Sequence, residues 1–166
     1  MQPRNGPYFL FDSETGAYRS EVFNHLLERE VRRALRYPEF LVVLLVDPGD
    51  QIRRSSDPLV LLRLVADNIR REMRLTDIVG RLDDMLGIAL PCVTVDDARL
   101  VAARVQARVR AVIQTRELSV IGPAVVSIGG AGFPRSGSSA TALIQASIDA
   151  VRRAATHSGG DVVIPD

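Results

Sequence analysis

Val22, Leu26, Leu27, Val31, Ala34 and Leu35 recur at helical spacing with Glu and Arg between them, and Pro38 ends the run. The continuous apolar stretch Phe40 to Val46 is short and partly β-branched, which predicts a strand buried on both faces. A polar loop follows from Asp47 to Asp57, and Asp57-Pro58 is an N-cap with proline at the first helical position. Leu61, Leu62, Val65, Ile69 and Met73 carry that second helix. Two short apolar segments, Asp77 to Leu82 and Met85 to Leu90, are separated only by Asp83-Asp84, the spacing of a tight hairpin. A long helix opens at Thr94 or Asp96 and runs through Leu100, Val101, Val105, Val109 and Val112. Ala124 to Ala131 is another buried strand with glycines suited to close backbone approach. Ser138 or Ser139 starts a last helix to about Thr156, and Val162 to Ile164 form a final strand.

The order gives an α/β (α+β) fold with a βαββαβ core. Its mixed sheet has helices mainly on one face, as in ferredoxin-like and nucleotidyl-cyclase domains. Val43, Leu45, Val126 and Ile128 belong in its core. Residues 1–11 are expected as a tail and 12–166 as a single domain.

At 166 residues and 46% hydrophobic, the chain can bury one sizeable core. With 21 basic against 20 acidic residues, it has no electrostatic footprint of a nucleic-acid binder. Every basic residue is an arginine, which supplies planar forks and no lysine point charge. One cysteine, Cys92, excludes an internal disulfide and fits a reducing compartment. No secretory signal opens the chain, and no apolar run is long enough to span a bilayer, so a cytoplasmic protein with no membrane partner is expected. Two distant histidines, His25 and His157, make a zinc or haem site improbable.

Six motifs in order resemble the GGDEF (diguanylate cyclase) family and cover nearly all of the chain beyond residue 10. They are Asp12-Ser-Glu-Thr-Gly-Ala-Tyr-Arg19, Leu44-Leu-Val-Asp47, Arg74-Leu-Thr-Asp77-Ile-Val-Gly-Arg81, Leu82-Asp83-Asp84-Met85-Leu86, Gly87-Ile-Ala-Leu-Pro91 and Val126-Ser-Ile-Gly-Gly-Ala131. The family joins two GTP molecules, which needs divalent metal held by carboxylates. The resemblance places those carboxylates at Asp47 and Asp84, vestigial Mg²⁺ ligands at most; each is equally well read as ordinary turn chemistry.

The signature itself departs from the family. Leu82 and Asp83 stand where paired glycines let backbone approach phosphate, and one residue is missing. Met85 replaces an acidic residue, and a thioether can neither accept a proton nor hold Mg²⁺. The loop Pro48 to Asp57 is shorter and lacks the guanine-reading pattern. Ala155 stands in place of a phosphate-binding lysine, and Ser158-Gly-Gly160 in place of a Gly-Arg-Asn turn. These losses lead to the expectation of a degenerate domain that is not an enzyme and carries no cofactor.

Arg74-x-x-Asp77 matches the family's inhibitory site for cyclic di-GMP. An arginine fork can address guanine O6 and N7, and a carboxylate can accept from N1 and N2 hydrogens. The plainer reading is a local Arg–Asp pair at a helix end. The functional expectation is therefore a cyclic di-GMP receptor. The alternative is a protein-interaction or homodimerisation module that binds no nucleotide, and a residual cyclase stands third. Arg53-Arg54 and Arg152-Arg153 are expected as solvated faces, with phosphate contact as the other option.

Overall fold

The computed structural model describes residues 9–115, 124–157 and 160–166. The chain runs α1 (Ser20–Arg36), β1 (Leu41–Asp47), α2 (Asp50–Arg53), α3 (Pro58–Glu72), β2 (Ile78–Leu82), β3 (Met85–Pro91), α4 (Val95–Thr115), β4 (Ser127–Phe133), α5 (Ala140–Ala154) and β5 (Val162–Val163). The five strands form one sheet in the order β2-β3-β1-β4-β5. Only the β4–β5 pairing is parallel; the others are antiparallel, and Val43 on β1 lies between Ala89 and Ala131.

Local chemistry starts the helices where the sequence indicates. Asp57 accepts from the Val60 N–H ahead of Pro58, although at 3.4 Å the bond is long. Thr94 Oγ1 accepts from the Asp97 N–H at 3.2 Å and donates to its carboxylate at 2.9 Å. Ser139 Oγ accepts from the Ala142 N–H at 3.1 Å. Each bond satisfies a donor that a helix start would otherwise leave unpaired.

β1 is the spine. Its residues alternate between two apolar layers, because neighbouring side chains of a strand point to opposite faces. Val42, Leu44 and Val46 pack with Leu62 and Ile69 of α3 and Val105 and Val109 of α4. Leu41 and Val43 pack with Phe23 and Leu27 of α1 and Leu143 of α5. Val43, Leu45, Val126 and Ile128 are all fully buried, each contributing about 1.5–3 kcal/mol of apolar burial. The expectation of helices mainly on one face is corrected: helices cover both. The physical reason is β1 itself, since a strand apolar on both sides needs a layer over each.

α5 lies unusually close to the sheet. A Cβ at Gly129 would stand 2.2 Å from the backbone nitrogen of Val151 and 2.5 Å from the Ser147 carbonyl. At the opposite edge, the segment before α1 straps β2. Tyr18 donates its N–H to the Val79 carbonyl at 2.9 Å and accepts from the Arg81 N–H at 2.8 Å. The Phe11 ring stacks on Tyr18, centroids 4.8 Å apart.

Candidate functional site

Two corners of the sheet gather the residues the sequence singles out. The first lies at the end of β1, beside the β2–β3 hairpin. Leu82 pairs with Met85 across a two-residue turn, and Asp83 takes a positive φ of 55°. Asp is one of the few residues with side chains that tolerate that conformation, so the turn forms without glycine. Leu86 is buried in the core and holds the hairpin's second strand down. Asp84 stands in the open, its side chain 69% exposed, while that of Asp47 is 20% exposed. Asp47, Asp83, Asp84 and Met85 all line one hollow of about 280 Å³, together with Arg53 and Arg152.

The polar loop after β1 is more ordered than its composition suggests. Residues 50–53 form the short helix α2, entered through Gly49 at φ 90°. A side chain at Gly49 would collide with the Val125 carbonyl, and Gln51 Oε1 accepts from the Val125 N–H at 3.2 Å. The loop is thus anchored to the start of β4, which fixes where Arg53 emerges. Asp47 Oδ1 accepts from the Gly49 N–H at 3.0 Å and from Arg53 Nη2 at 2.8 Å. Arg53 Nη1 donates to Asp50 at 3.0 Å, and Nε lies 3.5 Å from Asp84. Burial works against the Arg53 charge, but Asp47 and Asp50 outweigh it and hold the guanidinium above its ordinary pKa.

Arg53 is the residue that sequence reading missed, having been placed on a solvated face. An available signal was Asp50 three residues before Arg53, a spacing at which helical side chains meet.

A neighbouring cluster braces the hairpin. Arg81 reaches Asp12 at 3.2 Å and also pairs with Glu14, while its Nε donates to the Asp83 carbonyl at 2.9 Å. Burial alone would raise the Asp12 pKa. Hydrogen bonds from the Thr15 hydroxyl and N–H and from Arg81 outweigh it and leave that carboxyl below its ordinary value.

The second corner lies where α3 passes into β2. Asp77 Oδ2 accepts from the backbone N–H of Arg74 at 2.7 Å, closing a local turn. The Arg74 guanidinium is exposed and forms no ion pair or hydrogen bond with any described residue. The plainer expectation, a side-chain Arg–Asp pair, is therefore corrected: the carboxylate is occupied by main chain, and the fork is left over. Asp77 Oδ1 is shielded from solvent and has no partner among the described residues. Arg74 and Asp77 divide two hollows of about 250 and 290 Å³. Phe11, Tyr18 and Arg70 line one; Cys92, Leu100 and Arg104 line the other.

The family model described as "Diguanylate cyclase, GGDEF domain" matches residues 9–160. The chain belongs to the GGDEF family. Solved GGDEF domains share the fold. That of YfiN (TpbB) from Pseudomonas aeruginosa is 23% identical with a TM-score of 0.78, covering 94% of each chain. That of DgcB from Caulobacter crescentus, solved with c-di-GMP, is 16% identical with a TM-score of 0.79, covering 98% of each chain. The diguanylate cyclase SiaD of P. aeruginosa, solved with its activator SiaC, is 22% identical with a TM-score of 0.73, covering 94% of this chain and 62% of that one. No curated protein sequence matches the chain.

The family corrects one expectation. Met85, Ala155 and the shortened loop argued for a chain that is not an enzyme, yet the family it belongs to is that of diguanylate cyclases. The reason is that the expectation weighed two side chains and one loop, whereas the family match spans residues 9–160. The GGDEF fold is formed, and Asp47 and Asp84 both line the hollow at its hairpin. Ser158 and Gly159 lie outside the described residues, so the turn read there has no structural account. No helix among the described residues is long and apolar enough to cross a membrane.

Proposed function

We propose that this GGDEF domain is a receptor for cyclic di-GMP and takes the ligand at the Arg74–Asp77 corner. The observation that carries the reading is an Arg74 fork unengaged by any described residue, beside a carboxylate oxygen with no donor among the described residues. An arginine free of carboxylate partners keeps its parallel N–H groups for guanine O6 and N7. A shielded acceptor without a donor costs about 1–3 kcal/mol, which a ligand N–H would relieve once a small shift of the Asp77 side chain exposes that oxygen. Hollows on both sides of the pair suit a ligand that carries two bases. The corner also uses none of the residues in which the signature hairpin departs from the family.

Calorimetry with cyclic di-GMP on wild type, Arg74→Ala and Arg74→Lys tests the reading. Wild type should bind and both variants should bind poorly, because an ammonium cannot supply the fork. No binding by wild type at high micromolar ligand overturns the proposal, and equal binding by all three moves the ligand elsewhere. A protein-docking module is the second reading. It is favoured by Leu75, which is fully exposed, and by Leu100, 70% exposed, on the same corner.

A further inference from the structure

The divalent ion that the family's chemistry uses does not fit the hairpin corner as it stands. The two carboxylates that would hold it, Asp47 and Asp84, already share a cation, the guanidinium of Arg53. Among the described residues, no group of three or more His, Cys, Asp or Glu side chains is placed to hold a metal ion. We propose that Arg53 takes the place of the divalent cation between Asp47 and Asp84, so that a divalent ion enters only when Arg53 swings away.

Three features support this assignment. Each nitrogen of the fork addresses a different carboxylate: Nη2 faces Asp47, Nη1 faces Asp50 and Nε faces Asp84. One arginine thereby ties the end of β1, α2 and the hairpin together, as a bound metal would. Second, the position is built rather than incidental, because Gly49 and Gln51 lock the loop that carries Arg53 against Val125. Third, Arg53 faces three carboxylates and Arg54 reaches only Asp50, at 4.0 Å, so the corner keeps a net negative charge that attracts cations. The other arginine lining the hollow, Arg152, is turned to Asp149 at 3.3 Å and adds little compensation. The grip is uneven, tight on Asp47 at 2.8 Å and loose on exposed Asp84 at 3.5 Å. Arg53 can therefore leave toward solvent while the hairpin stays in place. This assignment is independent of the reading at Arg74.

Mn²⁺ titration followed by electron paramagnetic resonance tests it on wild type, Arg53→Gln, Arg53→Lys and the double variant Arg53→Gln/Asp84→Asn. Arg53→Gln should bind Mn²⁺ about tenfold or more tightly than wild type, since no internal cation has to be displaced. The double variant should lose that gain, and Arg53→Lys, which keeps the charge without the fork, should fall between. Thermal melts with and without Mn²⁺ give a second readout on the same proteins, and far-ultraviolet circular dichroism checks their fold. Equal Mn²⁺ affinity in wild type and Arg53→Gln overturns the proposal, and so does a gain that survives Asp84→Asn.

Discussion

The two corners of this domain put the same side chain to opposite use. At the hairpin, Arg53 is surrounded by Asp47, Asp50 and Asp84, and its charge is consumed within the fold. Where α3 meets β2, Arg74 gives its backbone N–H to a carboxylate, and its exposed guanidinium pairs with no described residue. The difference lies in the local backbone. A one-turn helix aims Arg53 inward at carboxylates gathered from three segments. A turn closed by Asp77 spends the nearest carboxylate on main chain instead. In an all-arginine protein, then, residue type does not mark a ligand site, and what counts is whether the fold has already supplied the acceptors.

The widest break of the comparison is to remove the frame that both corners share. Gly129→Ala would drive a methyl group into the backbone of α5, and by analogy with overpacked cores it should cost on the order of 3 kcal/mol. Urea denaturation should show that loss, and ligand responses at both corners should fall together. Arg74→Ala comes next and should touch one corner only. Losing a bidentate guanine contact is worth about 1–3 kcal/mol, so cyclic di-GMP affinity should drop by roughly ten- to a hundredfold in calorimetry with the melting temperature unchanged. Arg53→Gln reverses the pattern. It should cost about 1 kcal/mol of stability at low salt and less at high salt, because its pairs are partly exposed and screened. Cyclic di-GMP binding should not change.

The smallest effect concerns Asp12, which braces the hairpin through Arg81. Its folded pKa is depressed, so its contribution is present above the ordinary carboxylate value near 3.8 and is lost as pH falls through the folded value. Stability of the wild type should therefore fall more steeply below about pH 4 than that of Asp12→Asn, by less than about 1 kcal/mol. Denaturation curves at neutral pH and at pH 3 measure the difference.

Most of the frame was legible because it rests on local, repeating signals. The doubly apolar run of β1, the caps at Asp57 and Ser139 and the two-residue turn at Asp83-Asp84 each act through neighbours in sequence. Helices on both faces were implied by the same β1 run, but a template with one covered face displaced that inference. The hairpin corner was harder to read. Arg53 meets Asp84 only because β1 and β3 are paired, a contact between distant segments that no spacing records. Gln51 is buried because Val125 needs an acceptor, which a polar loop composition conceals. At Arg74 the motif was visible, but its free fork was not, since that depends on which groups Asp77 had already taken.

The strap before α1 has a consequence for assembly. An open sheet edge is a template on which another chain can extend the sheet. Here Tyr18 occupies the outer side of β2 by hydrogen-bonding to Val79 and Arg81, and β5 at the far edge is only two residues long. Among the described residues, neither edge offers a long ladder of vacant backbone groups. These described edges therefore give a second copy of this domain little to extend, which leaves self-association to side chains on the helical faces or the turns. Those surfaces can change by substitution without disturbing a single strand pairing.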